Sequence, residues 1–317
     1  MRTENMNMSK AQGVDVSYVI YQATDLDRMQ AFMEDFGLVT AGRDGSRLYM
    51  RGAGPSPYAH VTERGSEDRF LGAGVRVSSR EDLDALAALD GSEPVEAIDA
   101  PGGGFRVRMK TPDGVRVDAV WGQELTMLPV RDPNPFNAGA AKQRVNKGLR
   151  PKREAGLALR MGHFVLRVPR HDETVAWFCE RFGMLPSDYL CAGSKDNVVG
   201  TFLRVDLGAT TVDHHSILIT RNREVGVHHC SFEMQDLDAV MGAHDYLSER
   251  GYKLECGVGR HLLGSQIYDY WRDPFGFRVE HYTDGDVVNN EHVPSCFVGT
   301  ADETTQWGMK PPREFFD

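Results

Sequence analysis

Apolar positions along this chain follow one pattern twice. The stretch VSYVIYQATDLDRMQAFMEDFGLVTAG from Val16 and the stretch MGHFVLRVPRHDETVAWFCERFGMLPSD from Met161 read alike. Each gives an apolar strand, a polar connection, an amphipathic helix, and then Phe-Gly before an apolar residue. Met29, Phe32, Met33 and Phe36 recur at i, i+3, i+4 and i+7, the spacing of one helix face. In the second copy Trp177, Phe178 and Phe182 supply the helix core. Two further pairs follow in the same order: VRVSSREDLDALAAL (75–89) with SFEMQDLDAVMGAH (231–244), and KTPDGVRVDAVWG (110–122) with RDPFGFRVEHYTDG (272–285). Strand–helix–strands thus occurs twice in each half.

The pattern predicts an α+β fold of four βαβββ modules in two tandem domains, each an open, curled, barrel-like mixed sheet around a hollow suited to a ligand. The expected divisions are a polar tail over 1–13, a first domain over 14–125, a linker over 126–157, a second domain over 158–290 and a tail over 291–317. A doubly wound parallel sheet would need strict alternation of strand and helix and a phosphate loop. PGGGF at 101–105 has neither dinucleotide nor P-loop spacing and reads as a turn.

Within this scaffold one acid stands out. Asp273-Pro274-Phe275-Gly276 suits a type I turn between two strands, and the second strand, FRVEHY, carries Glu280 where an apolar residue would serve better. Histidines point to the same half: ten of the eleven lie there, and only His60 lies in the first. Where the second copy has His163 the first has Tyr18, and where it has Glu280 the first has Asp118. His163, His229 and Glu280 fall in three different predicted strands of one domain. Two imidazoles and a carboxylate on adjacent inward faces form the facial triad suited to non-haem Fe(II), with positions left open. Strand alternation turns His228 away from His229, and His281 away from Glu280. Taken singly, each histidine reads more readily as a hydrogen-bonded core residue, and Glu280 as a paired buried acid; the shared register is what joins them.

Composition narrows the class. A chain of 317 residues with 41% hydrophobic and 26% charged residues is that of a folded globular protein. No apolar run approaches the roughly 18 residues of a membrane span, and MRTENMNMSKAQG has no apolar core of a signal peptide. The five cysteines include no C-x-x-C pair, so reduced thiols in a cytoplasm are expected. A net charge of -10 argues against nucleic acid as a partner. The basic run Lys142, Arg144, Lys147, Arg150, Lys152 and Arg153 has no interleaved aromatics and reads as a solvated linker or subunit contact.

The segments GHFVLRV, DHHSILI, VHHCSFEMQDLDAV and GRHLLGSQIYDYWRDPFGFRVEHY together resemble the type I extradiol ring-cleaving catechol dioxygenases of the vicinal-oxygen-chelate superfamily. The likeness spans both domains and is strong over 161–285. It implies His163, His229 and Glu280 as ligands of Fe(II), with Mn(II) also compatible, and O₂ as co-substrate. It implies His215 as the acid–base group, with His214 competing because Ser216 stands where many relatives have Asp. His261 and Tyr270 would line the substrate hydroxyls, and Val165 and Phe202 the oxygen and ring pocket. The implied reaction is meta cleavage of a catechol-type aromatic diol to a muconic-semialdehyde-type product, in a cytoplasmic homo-oligomer. His171, His244 and His292 are left to surface or structural roles. Two other readings share the scaffold: a glyoxalase-type metal-dependent isomerase or lyase, and a non-catalytic module that sequesters an aromatic. The first usually draws metal ligands from two modules; the second has no need of His215, His261 and Tyr270.

Overall fold

The structure is a computed structural model that describes residues 11–316. The expected tail over 1–13 lies outside the described residues as far as residue 10. Four modules follow one another. The first is β1 (Gly13–Ala23), α1 (Leu26–Phe36), β2 (Val39–Arg43), β3 (Arg47–Arg51) and β4 (His60–Arg64). The second is β5 (Arg69–Val77), α2 (Arg80–Ala87), β6 (Glu96–Ala97), β7 (Phe105–Lys110) and β8 (Arg116–Trp121). The third is β9 (Ala158–Val168), α3 (His171–Phe182), β10 (Leu185–Cys191), β11 (Val198–Arg204), a short β12 (Val212–Asp213) and β13 (Ile217–Arg221). The fourth is β14 (Gly226–Met234), α4 (Leu237–Glu249), β15 (Lys253–His261), β16 (Ile267–Arg272) and β17 (Arg278–Thr283). After it come β18 (Val287–Val288), β19 (Ser295–Val298), β20 (Thr305–Gly308) and 3₁₀ turns at Ala301–Thr304 and Arg313–Phe316.

The modules pair into two mixed sheets. The first half gives the order β2-β3-β4-β1-β5-β8-β7-β6, and the second gives β19-β10-β11-β13-β9-β14-β17-β16-β15-β20. Within each half the two modules join through their first strands, β1 with β5 and β9 with β14, both antiparallel. The α+β arrangement of repeated βαβββ units is therefore present. The last residues extend the second sheet at both edges: β19 lies parallel to β10 and β20 antiparallel to β15.

Local sequence explains the helices. Asp25 caps α1 by accepting from the backbone of Asp27 and Arg28, and Gly37 ends it in a left-handed conformation at φ 114°. Gly183 ends α3 in the same way at φ 66°, so the Phe-Gly signature is a helix stop in both copies. The predicted face of α1 is buried in full: Met29, Phe32, Met33 and Phe36. Those residues join one apolar cluster that runs through both halves. Phe36 stacks on His281 at 3.8 Å and meets Phe232 edge-on, and His281 donates from Nε2 to the Phe36 carbonyl. The residues between β8 and β9 form no regular element. Arg153, from the basic run, pairs with Asp245 and Glu249 on α4.

One expectation fails. Cys191 and Cys296 are not reduced thiols but a disulfide, with an S–S distance of 2.00 Å. The parallel pairing of β10 with β19 brings them together across 105 residues of chain, a proximity that no local spacing reveals. Cys179, Cys230 and Cys256 are not in a disulfide. Among the described residues, no helix is long and apolar enough to cross a membrane.

Candidate metal centre and cavity

Strand register builds the centre. On the adjacent strands β9, β14 and β17, Ser231 pairs with His163 on one side and with Glu280 on the other. His229 lies two residues before Ser231, so period-two alternation returns it to the same face. The outcome is three buried donors in contact. His163 Nε2 lies 3.2 Å from His229 Nε2 and 3.1 Å from Glu280 Oε2, and His229 Nε2 lies 3.4 Å from the same oxygen. Their exposures are 2%, 3% and 0%.

This arrangement fits a divalent transition metal. Donor atoms bonded at about 2.1 Å and at right angles to one another lie about 3 Å apart. Buried Glu280 Oε2 has no partner in hydrogen-bonding geometry despite its close neighbours, which is costly for a carboxylate unless a cation meets it. Protonation agrees. Burial pushes the His229 imidazole down to about 4, against the pull of Glu280. For Glu280 burial pushes upward, but the surrounding imidazoles of His163, His229 and His261 outweigh it and hold the carboxyl well below its usual range. A neutral imidazole at His229 beside an ionised carboxylate is the state a metal requires.

His228 and His229 depart from simple alternation. The register between β9 and β14 shifts at this point, so the two rings lie side by side with Nδ1 atoms 2.6 Å apart. The expected separation onto opposite faces is lost to this bulge. When His229 keeps Nε2 bare toward Glu280, its Nδ1–H donates to His228 Nδ1. On its other side His228 Nε2 lies against both the Phe315 carbonyl and the Arg278 guanidinium.

The remaining expected residues surround the triad. Tyr270, paired with Glu280 across β16 and β17, has its hydroxyl 2.9 Å from His261 Nε2, which lies 3.3 Å from Glu280 Oε1. Burial, and then the Glu280 charge, raise the Tyr270 phenol well above its usual value, so it stays protonated. His215 packs against His163 with ring centroids 4.3 Å apart. Burial, and then His163 and His214, push it well below the usual imidazole range. Val165 and Phe202 line the cavity beside it.

His214 does not line that cavity. Its Nε2 donates to Asp188 Oδ2 at 2.8 Å, while its Nδ1 faces His215 Nδ1 at 3.1 Å. With Nε2–H committed to Asp188, the bare Nδ1 accepts from His215 Nδ1–H. That leaves the His215 Nε2 lone pair for the cavity. Asp188, His214 and His292 form a second group of potential ligands, but hydrogen bonds occupy it. Asp188 Oδ1 accepts from the Ser295 backbone and hydroxyl, and His292 Nε2 donates to the Ser187 carbonyl.

Sequence reasoning misses part of the wall. Leu190, Leu218, Leu263, Gln266, Phe315 and Phe316 also line the cavity. Phe315 and Phe316 come from the last described turn, and the adjacent aromatics in PPREFFD were the one available signal. His171 is buried and bonded to Thr201 and Asp172, and His244 bonds Asp269.

The first half shows what the scaffold does without ligands. By register Tyr18, Gly72 and Asp118 occupy the places of His163, His229 and Glu280. A Cβ at Gly72 would come within 2.2 Å of the Arg116 carbonyl, so no histidine fits there. Tyr18 donates to Asp118 at 2.9 Å, and Arg116 donates to both oxygens of the same carboxylate.

Comparison with known proteins agrees with this geometry. The chain is similar to Metapyrocatechase 2 of Cupriavidus necator, 27% identical over 160 residues, which is 50% of this chain and 47% of that protein. The chain thus spans about half the length of that curated relative. Among solved structures, a Mn(II)-bound glyoxalase from Novosphingobium aromaticivorans superposes with a TM-score of 0.79 at 24% identity, covering 96% of this chain and 94% of that one. A 2,3-dioxygenase from Pseudomonas sp. KL28 gives 0.74 at 22% identity, over 92% and 99%. Residues 160–281 match the Glyoxalase/Bleomycin resistance protein/Dioxygenase superfamily. The matched stretch holds His163, His229 and Glu280.

Proposed function

We propose that this protein cleaves a catechol-type aromatic diol with O₂ at an Fe(II) held by His163, His229 and Glu280. The observation that carries the reading is the convergence of those three buried donors within 3.4 Å of one another, beside His215 and the His261–Tyr270 pair. The likeness to a metapyrocatechase supports it. We further propose two domains, 14–125 and 158–290, joined by 126–157, with the metal in the second.

When bound, the metal would acidify the diol and bring it together with O₂; Mn(II) suits the same donors. The protein's own groups then have separable tasks. His215 is neutral at pH 7, and its Nε2 lone pair is positioned to accept a proton from a substrate hydroxyl and later return it. General acid–base help of this kind contributes roughly 10² to 10⁴ in rate. The Asp188–His214 pair fixes the tautomer of His215. Tyr270, held protonated, and His261 supply hydrogen bonds that orient the substrate oxygens. Apolar residues around them exclude water.

The test is O₂ uptake by Fe(II)-reconstituted protein with catechol and 4-methylcatechol, with the product followed by visible absorbance. Uptake with a yellow product matches the reading. A glyoxalase-type isomerase would consume no O₂, and a sequestering module would bind catechol without turnover.

A further inference from the structure

The chemistry of the cavity wall distinguishes among catechols. Resting on the reading above, we propose that this site takes catechols with a short, uncharged, apolar ring substituent and rejects carboxylated ones, with Phe316 setting the size limit.

Three observations carry this. First, among the described residues the wall holds no Lys, Arg, Asp or Glu side chain. Its polar members are the site histidines, Tyr270, Gln266 and Thr304. Thr304 donates its hydroxyl to the Ala301 carbonyl, and His261 and Tyr270 are bonded to each other. A substrate carboxylate would therefore be buried against an amide alone, where an unpaired charge is costly. Arg278 offers no rescue: it stacks on the Phe315 ring at 4.1 Å, does not line the cavity, and is held by Glu255 at 2.6 Å.

Second, the other wall residues apart from Phe315 form an apolar cluster of their own, separate from the main core. Val165, Leu190, Phe202 and Leu218 are its buried members, with Leu263 and Phe316 packed against them. Phe202 stands edge-on to His215 at 4.9 Å, so this apolar surface begins at the acid–base group. Third, the space is small. Its cavity volume is about 40 Å³, well below the roughly 300–1,000 Å³ of ligand pockets. Phe316 closes one side from the last turn of the described chain, where its ring stacks on His228 at 5.0 Å.

The experiment is a substrate series with Fe(II)-loaded full-length protein. It compares kcat/KM for catechol, 4-methylcatechol, 4-ethylcatechol, 3,4-dihydroxyphenylacetate and 3-phenylcatechol. Anaerobic calorimetric titration gives the Kd of each. We expect kcat/KM to rise roughly fourfold per added CH₂. We expect 3,4-dihydroxyphenylacetate to fall about a hundredfold below 4-ethylcatechol in both kcat/KM and Kd. In Phe316→Ala the 3-phenylcatechol to 4-methylcatechol ratio should rise about tenfold. Discrimination against the carboxylate weaker than about tenfold overturns the proposal while leaving ring cleavage intact. An unchanged ratio in Phe316→Ala overturns the role of Phe316. Failure to cleave any catechol overturns the underlying reading instead.

Discussion

Asp269 offers a quantitative test of how the second half is held together and joined to the first. Its carboxylate is fully buried and accepts three hydrogen bonds: from Trp271 Nε1 at 2.8 Å, His244 Nδ1 at 2.9 Å and His281 Nδ1 at 3.0 Å. The opposite nitrogen of His281 reaches the Phe36 carbonyl at the end of α1. In Asp269→Asn the amide oxygen can accept at most two of the three donors, and its NH₂ faces the third. Losing charge-assisted bonds and burying one unsatisfied donor costs about 3–5 kcal/mol. At about 2–4 °C per kcal/mol for a unit of this size, Tm should fall by roughly 6–20 °C.

The loss should depend on pH. Burial works against the Asp269 charge, but His281, His244 and Trp271 outweigh it and lower the carboxyl. Its contribution is present above the unfolded value of 3.8 and disappears as pH falls through the folded one. The bond to Asp269, the largest influence on His244, raises that imidazole against burial. That part is complete below 6.5 and is lost as pH rises through the raised value. The gap between parent and variant should be widest between about pH 4 and 6.5 and narrower at pH 9. Thermal melts followed by circular dichroism, with excess chelator to remove any metal contribution, would measure it. A Tm loss below about 2 °C, or a gap that widens toward pH 9, would refute the reasoning.

Four other outcomes are expected. Tyr270→Phe should keep its metal but lose roughly 10- to 100-fold in kcat/KM, since one strong hydrogen bond is removed; parallel kinetics and metal analysis decide this. His215→Gln should lose roughly 10² to 10⁴ in kcat, while His214→Gln, acting only through His215, should lose about tenfold. Comparing the two kcat values checks that division of labour. Asp118→Asn breaks the buried Tyr18–Asp118–Arg116 cluster and should destabilise the first half by about 3 kcal/mol. Denaturant melts should show this with metal content and kcat unchanged. Glu280→Gln should abolish metal retention on dialysis, as read by elemental analysis.

The repeat made most of the scaffold legible. FMEDFGL and FCERFGM mark equivalent helix ends because both need an apolar face and a left-handed stop, and both demands are local. The triad was legible for a related reason: His163 and Glu280 stand where the first copy has Tyr18 and Asp118, and the first copy has no histidine to match His229. What the sequence hid depends on long-range partners. The Asp188–His214 bond, which sorts His214 from His215, joins residues on strands whose pairing no motif announces. The bulge at His228 breaks the alternation rule at the point where it was applied. The disulfide and the Phe315–Phe316 wall both draw on residues 291–317, expected as a tail, which add two sheet edges and part of a cavity wall.

The central claim is that three buried side chains hold a metal at which a catechol meets O₂. It is tested most directly by O₂ uptake of Fe(II)-reconstituted protein with 4-methylcatechol, run beside His163→Ala with iron content measured in both. The account predicts one O₂ consumed per diol and a yellow product in the parent, with neither iron nor uptake in the variant. Turnover that survives in His163→Ala, or an iron-loaded parent that consumes no O₂ with any catechol, would contradict it.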